Sequence, residues 1–306
     1  MDLRIRAPVL LAGIGGAGSR MAALMSEASG IDHVSIGRGD LGGRQARIGT
    51  GGVVNPSVRL LRAAACGAED QIEEMMDGYG TVVMVANLAG KDGAAIAPVV
   101  SGICSRTGRG PVSIAVMPFG YEGARLFEAG IALRRLREGS DATIVIDNDS
   151  MMQSNPDLAP EQCYDIADSA ARHLACSLGS LAEGGTGILA AGRAGRDAEE
   201  SLRDALRTLY GSAPPGSVRR SLLYVMGGGL SAGAIGRITE VAGGMLGGGG
   251  LHVDPAASES GVVVLSAVQG ATKFDGYDPL GAIGQELDWD VPECSIDCGL
   301  QMYQME

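Results

Sequence analysis

The apolar run Val9-Leu10-Leu11-Ala12 breaks at Gly13-Ile14-Gly15-Gly16-Ala17-Gly18-Ser19-Arg20 and continues as a helical pattern through Met21, Leu24 and Met25. A buried strand that turns through glycines into a helix lets backbone N–H groups approach a ligand with no Cβ in the way. The positive end of the helix points at the same spot. An anion is the natural occupant, and a nucleotide phosphate is the one expected. Gly13, Gly15 and Gly18 also satisfy the G-x-G-x-x-G dinucleotide pattern, so the rest of the chain must arbitrate.

Glycine accounts for 49 of 306 residues, against a usual share of ~7%. No short repeat organises these glycines; they lie between apolar runs, as loops of an α/β fold would. The net charge of −12 leaves no basic stripe to neutralise phosphates, so nucleic acid is not an expected partner. Only Lys91 and Lys273 are lysines, which reads as a genome-composition or solvent-adaptation bias. Cys66, Cys104, Cys163, Cys176, Cys294 and Cys298 are scattered, mostly in apolar runs where free cysteine behaves as a small hydrophobe. Cys294-x-x-x-Cys298 and His173-x-x-Cys176 lack partners at ligand spacing, and no metal site is expected. Asp2, Arg4 and Arg6 lead straight into a strand, which reads as no signal peptide. No apolar stretch approaches the ~20 residues of a membrane span. A cytoplasmic protein is expected.

Residues 8–12 read as a strand, 18–29 as a helix and 32–36 as a second strand, with Asp40 shortly after. Residues 41–56 are a glycine-rich loop. Helical periodicity covers 57–77 (Val58, Leu61, Ile72, Met75, Met76), with Ser57 or Asn55 as its cap. A third strand, 81–86, leads to the turn Gly90-Lys91-Asp92-Gly93 and a helix over 94–107. Strand 112–117, helix 122–137 and strand 142–146 follow. A long helix over 160–182 opens with Pro160-Glu161 and ends at Gly184-Gly185-Thr186-Gly187. Beyond lie helix 196–210, strand 220–226, the turn Gly227-Gly228-Gly229, helix 231–246 and strand 261–268. Alternating strands and helices predict right-handed crossovers and a parallel sheet. The expected fold class is α/β. A parallel-sheet nucleotide-binding lobe over 1–159 is joined by a central helix over 160–183 to a smaller α/β lobe over 184–306. Polar residues gather just past strand C-termini, the edge where open parallel sheets bind ligands.

One such fold is a Rossmann oxidoreductase using NAD, with Asp40 as the ribose-binding acid ~20 residues past the glycines. Two features count against it. A second glycine turn carries the charged pair Lys91-Asp92, and Pro118-Phe119-Gly120-Tyr121-Glu122-Gly123 has no role there.

Those segments, in that order, resemble the FtsZ/tubulin family of cytoskeletal GTPases. Gly13 to Gly18 looks like the first phosphate loop. Gly51-Gly52-Val53-Val54-Asn55-Pro56 is similar to the G-A-G-x-N-P loop beside the terminal phosphate. Ala94 to Val100 resembles the helix start after the tubulin signature. Met117-Pro118-Phe119-Gly120-Tyr121-Glu122-Gly123-Ala124-Arg125 is similar to P-F-x-x-E-G-x-R. Ile146-Asp147-Asn148-Asp149 resembles I-P-N-D, and Tyr164-Asp165-Ile166-Ala167-Asp168 resembles F-x-x-A-[ND] on the central helix. The resemblance runs over 8 to about 182 and more weakly over 218–270.

The resemblance implies GTP or GDP as ligand, with room for Mg²⁺. Gly15, Gly16 and Gly18 would offer N–H groups to the phosphates, beside Asn55, Gly90 and Gly93. Glu122 would accept from the ribose hydroxyls, Arg125 would add positive charge near the terminal phosphate, and Asn148 would help fix base or sugar. Tyr164 would stack on the base. Asp168 would accept two N–H donors that guanine offers and adenine does not. Plainer readings stand beside these: Tyr164 as a core aromatic, Glu122 as a helix-start acid, Asp168 as a solvated helix residue and Arg125 as a surface charge.

The chain also departs from the family's pattern. The signature G-G-G-T-G-[TS]-G aligns with Ala89 to Ala95, and only Gly90 and Gly93 remain. Lys91 would supply positive charge, whereas Asp92 would repel a phosphate unless it binds Mg²⁺ or faces away. The N-x-D-x-x-D loop after the central helix, whose acids position water at the next subunit's nucleotide, is missing. Glu183 is the nearest acid, with Asp197 or Glu199 as stand-ins. The closing residues carry no tail ending in an apolar adaptor peptide, so recruitment by the usual division adaptors is not expected. The expected function is a divergent guanine-nucleotide-binding cytoskeletal protein with weak or absent hydrolysis. It would self-associate head to tail or associate with another FtsZ-like protein. The alternatives are a non-polymerising scaffold and the NAD oxidoreductase.

Overall fold

Period-two burial along the strands sets the layers. The computed structural model describes residues 3–178, 184–193, 197–227, 231–246, 249–254 and 261–278. Its elements in chain order begin β1 (Val9–Ile14), α1 (Gly15–Ser29), β2 (Asp32–Gly37), β3 (Gln45–Arg47), α2 (Val58–Cys66) and α3 (Glu69–Met75). Next come β4 (Thr81–Asn87), α4 (Lys91–Arg106), β5 (Gly110–Met117), α5 (Gly123–Gly139), β6 (Ala142–Asp147), α6 (Asn148–Ser154) and α7 (Pro160–Cys176). The last are β7 (Gly185–Ala191), α8 (Ala198–Ser212), β8 (Val218–Met226), α9 (Ala232–Met245), β9 (Gly249–Asp254) and β10 (Gly261–Val268). Leu10, Ala12 and Ile14 of β1 face one core and Leu11 the other. Val82, Met84 and Ala86 of β4 likewise oppose Val83 and Val85. A sheet covered on both faces requires this double-sided apolar pattern.

All the described strands form one ten-stranded sheet in the order β3-β2-β1-β4-β5-β6-β7-β10-β8-β9. The pairings are parallel except those of β10, which runs antiparallel to β7 and β8. The fold is therefore mixed α/β with a mainly parallel sheet. The β6–β7 ladder, Ala142↔Gly185 to Val145↔Ile188, keeps the sheet continuous across the central helix α7. Helices α1 and α7 cover one face through Met21, Met25, Cys163, Ala167 and Leu174. Helices α2, α4, α5, α8 and α9 cover the other, through residues such as Leu61, Val100, Leu133, Leu209 and Ile238. Strand β1 lies between β2 and β4. The chain thus leaves β1 on one side and returns on the other, with α1 and α4 on opposite faces. That reversal opens a crevice at the C-terminal ends of β1 and β4, where open α/β sheets bind ligands.

Several elements differ from the sequence expectation. The pattern over 57–77 forms two helices, parted at Gly67-Ala68. Glycine is a poor helix former, yet Leu61, Ala65, Ile72 and Met76 continue into the same core, so the periodicity hides the break. Ser57 caps α2, its side chain accepting from Leu60 N. Helix α4 starts at Lys91, so the expected turn supplies its first residues; a Cβ at Gly93 would stand 2.1 Å from the Asn87 carbonyl oxygen. Helix α7 ends at Cys176, where Ser177 Oγ turns to Tyr224 OH at 2.7 Å. The glycine stretch after it enters β7, and β3 and β9 also form from glycine-rich sequence. A Cβ at Gly249 would lie 1.6 Å from the Ser221 carbonyl oxygen, so β9 needs glycine there to approach β8. Glu183, Gly228, Gly229, Cys294 and Cys298 lie outside the described residues. Among the described residues no helix is long and apolar enough to cross a membrane, and no group of His, Cys, Asp and Glu could hold a metal ion.

Candidate functional site

The crevice is a cleft of about 170 Å³ lined by Ile14, Gly15, Gly16 and Ala17 of the first glycine turn, Arg38, Asn87, and Gly90 to Gly93. Neither α1 nor α4 has a side-chain hydrogen bond capping its N-terminus. Both helices therefore present orphan backbone N–H groups and a positive dipole end here. The glycines divide by role. Gly15 has φ +69°, and a Cβ there would meet Asp92 Cβ at 2.9 Å. Gly16 is exposed and nothing lies within 4 Å of where its Cβ would be. Gly18 is buried, and a Cβ there would stand 2.2 Å from the Val85 carbonyl oxygen. Its lack of a side chain sets how closely α1 lies on β4.

The charged side chains of the cleft are hydrogen-bonded within the protein. Arg38 Nε donates to Asp92 Oδ1 at 2.6 Å. Asp92 therefore faces the cleft, held by Arg38. Lys91 Nζ donates to Asn55 Oδ1 at 2.9 Å and to the Pro56 carbonyl at 3.2 Å. That ties the Gly51–Pro56 loop to the first turn of α4. The cleft thus gathers Gly15, Gly16, Gly90 and Gly93, with Asn55 at its edge. Asp40, the acid a dinucleotide reading needs, accepts from Gly42 N and Gln45 Nε2 within its own loop, and these hydrogen bonds hold its carboxyl below the usual range.

Asn87 links the cleft to a second cluster. Its Oδ1 accepts from Ala89 N at 2.9 Å, and its side chain stands beside the Tyr164 hydroxyl. The Tyr164 ring meets Phe119 edge-on at 5.6 Å, and Phe119 stacks on Tyr121 at 5.2 Å. Burial, then the nearby Glu122 carboxylate, pushes the Tyr164 hydroxyl up from its ordinary pKa. Glu122 Oε2 accepts from Phe119 N at 3.0 Å, and Oε1 accepts from Arg125 at 2.6 Å. It thus serves the turn that opens α5, as in its plainer reading, and stands beside Tyr164.

One turn along α7 from Tyr164, Asp168 is 5% exposed. Arg20 of α1 pairs with its Oδ2 at 3.0 Å, while Oδ1 is buried with no hydrogen-bond partner. Burial raises its pKa above the usual carboxylate value, and Arg20 pulls the other way. Asp168 is therefore not a solvated helix residue. Asn148 is 0% exposed, and both polar atoms of its amide are unpartnered. A buried polar group without a partner costs roughly 1–3 kcal/mol, so these atoms are where a ligand's donors and acceptors gain most.

The floor beneath this cluster was not read from the sequence. Asp147 Oδ1 caps α6 through Asp149 N and Ser150 N. Its Oδ2 accepts from Ser212 Oγ and pairs with Lys273 Nζ at 2.6 Å. Lys273 also donates to Ser150 Oγ and Asp149 Oδ2, and Asp149 Oδ1 accepts from Gly120 N at 2.8 Å. Burial lowers the affinity of Lys273 for its proton, but the Asp147 carboxylate outweighs it and the pKa rises. Arg20, Arg38 and Asn87 also escaped the sequence reading. Asn87 had a signal: it is the polar residue that closes an otherwise apolar strand.

Residues 43–156 match the Tubulin/FtsZ family, GTPase domain. The chain is 29% identical over 180 residues to cell division protein FtsZ 1 of Thermococcus kodakarensis, covering 54% of this chain and 48% of that protein. It is 27% identical over 232 residues to FtsZ 1 of Archaeoglobus fulgidus, covering 69% and 62%. The chain thus spans about half the length of the first of these relatives. Among solved structures, the empty FtsZ dimer of M. jannaschii superposes with TM-score 0.70 at 20% identity, covering 89% of this chain and 91% of that one. CetZ2 of Haloferax volcanii, solved as a GTPγS-bound protofilament, superposes with TM-score 0.67 at 18% identity, covering 88% and 96%.

Proposed function

We propose, because the chain belongs to the tubulin/FtsZ superfamily, that it binds a guanine nucleotide across the crevice between β1 and β4. The phosphates lie at the N-termini of α1 and α4, over Gly15 and Gly16, beside Asn55, Gly90 and Gly93. Glu122 accepts from the ribose hydroxyls, and Arg125 adds positive charge near the terminal phosphate. The base rests on Tyr164 and is read by Asp168, and Asn148 helps fix base or sugar. The observation that carries this reading is the unpartnered, buried Oδ1 of Asp168 one turn from Tyr164. Guanine N1 and N2 are both donors, and a carboxylate is an acceptor pair.

The same reading includes head-to-tail association of copies, with nucleotide at the junction. Val54 is 93% and Tyr121 64% exposed, and Val53 and Leu60 are also exposed. These apolar side chains belong to the two loops that flank the site and to the start of α2. Apolar surface beside a polar site suits a partner that covers it. A heterologous contact of this kind extends into a filament. The nucleotide lobe spans 1–159 and the second lobe 184–306, and the segment 160–183, which opens with α7, links them.

Hydrolysis is weak or absent in this reading. Only residues 177–184 part α7 from β7, too few for a further loop-helix unit. Asp197 caps α8 by accepting from Glu199 N, and Glu199 pairs with Arg237. Asp197 also follows the C-terminal end of β7, the same sheet edge as Asp147. An acid serving the next subunit would stand at the opposite edge. Phosphoryl transfer depends on such positioning. A second reading, a non-polymerising scaffold, draws support from the internally paired charges of the cleft.

Calorimetric titration with GTP, ATP and NAD tests the first reading: GTP binds, and ATP and NAD bind at least tenfold more weakly. NAD binding without GTP binding would end it. Sedimentation with and without GTP separates filament from scaffold. Phosphate release that climbs steeply with protein concentration would refute weak hydrolysis.

A further inference from the structure

Asp92 places a negative charge in a cleft otherwise built for anions. It lies in the first turn of α4, packed against Gly15. Its partner Arg38 arrives from the loop after β2, on the far side of β1 from α4's own strand, so the ion pair spans the crevice. The Asp92 side chain is 17% and the Arg38 side chain 33% exposed. Arg38 bonds Asp92 through Nε; the outer fork of two Nη groups is left for a second acceptor. No phosphate can settle over Gly15 and Gly16 without meeting this pair.

We infer that Arg38 and Asp92 form an ion-pair latch across the phosphate cleft: an entering polyphosphate takes the Arg38 guanidinium from Asp92, so Arg38 is its ligand and Asp92 its internal competitor. The inference rests on the proposed function only in sending phosphates to this cleft, and not on which base is read. Three consequences follow from the charges. Removing the Asp92 charge while keeping its shape removes both the repulsion and the competition, so binding tightens. Removing Arg38 loses the ligand and leaves Asp92 unneutralised, so binding weakens. Removing both restores part of the loss. A ligand-supporting acid, by contrast, would weaken binding when neutralised.

Tripolyphosphate and GTP are titrated by calorimetry into the full chain and into D92N, R38M, R38K and the double variant R38M/D92N, with thermal melts as the folding control. The expected order of affinity for both probes is D92N above the parent, the parent above R38M, and R38M/D92N between those two. Each single step is about tenfold, the size of one charge-assisted hydrogen bond. R38K retains the charge without the fork and falls between the parent and R38M. Weaker binding by D92N, unchanged binding by R38M, or tripolyphosphate binding by none of the proteins overturns the latch. Equal affinity for GTP and tripolyphosphate, with that order intact, would instead end the base reading and leave the latch standing.

Discussion

The two ends of the site handle their polar groups in opposite ways. At the phosphate end, Arg38 holds Asp92 and Lys91 holds Asn55, so the side chains satisfy one another. At the base end, Asp168 pairs with Arg20 through Oδ2 alone, and its Oδ1 and both amide atoms of Asn148 are buried and unpartnered. A ligand arriving at the first end must displace contacts; at the second it supplies them. The contrast teaches that affinity and selectivity are separable here. In the proposed reading, phosphate binding is opposed by an existing ion pair, while base recognition uses groups that cost free energy until they are matched.

The base end rests on the Lys273 cluster, and the largest expected effect lies there. Lys273→Met leaves the Asp147 carboxylate buried without its cation, a loss of about 3–5 kcal/mol, read as a drop in chemical denaturation midpoint. Stability unchanged within error would mean that the cluster does not support Gly120 and Glu122. At the phosphate end the contrast sharpens between two glycines. Gly18→Ala overpacks α1 on β4 and costs about 1–3 kcal/mol. Gly16→Ala, with open space around it, leaves the melting temperature unchanged and weakens nucleotide binding alone. Equal melting temperatures for the two variants would break the division of roles.

Asp168→Asn tests the base end with less perturbation of packing. GTP affinity is expected to fall about tenfold, with the preference over ATP lost. Its stability effect has a definite sign. Burial raises the folded pKa of Asp168 above that of a free aspartate. The stability it contributes is therefore fully present below that value and is lost as pH rises through the folded pKa. At neutral pH the variant should melt at or above the parent, and the difference should vanish in acid. GTP affinity of the parent should decline on acidification as Asp168 takes up a proton. The smallest effect is expected for Tyr164→Phe, which removes the hydroxyl beside Asn87 while keeping the ring, at about 1 kcal/mol or less. A loss of GTP selectivity in that variant would shift base reading away from Asp168.

Much of the fold and the site's outline was legible because it is carried by local pattern. Val9 to Gly18, Thr81 to Gly93 and Met117 to Arg125 each join an apolar run to glycines, and each ends its strand as expected, although α1 and α4 begin within the glycine stretches, at Gly15 and Lys91. Glycine-rich strands were opaque: Gly185 to Gly187 and Gly249 to Gly250 have no side chains to alternate, and their strand character comes from neighbouring strands. The helix break at Gly67 was hidden because both halves share one core. The internal pairings were opaque for another reason. Arg38 and Asp92, Arg20 and Asp168, and Lys273 and Asp147 are far apart in the chain, and only the topology of the sheet brings them together. Sequence motifs thus pointed to the residues surrounding the site without revealing which charges are already matched.

The most direct measurement is a crystal structure of the protein grown with GTP or GDP. The account predicts the base against Tyr164, its N1 and N2 within hydrogen-bond reach of Asp168, and phosphate oxygens over Gly15 and Gly16. A nucleotide bound elsewhere, or one whose base points away from Asp168, would contradict it.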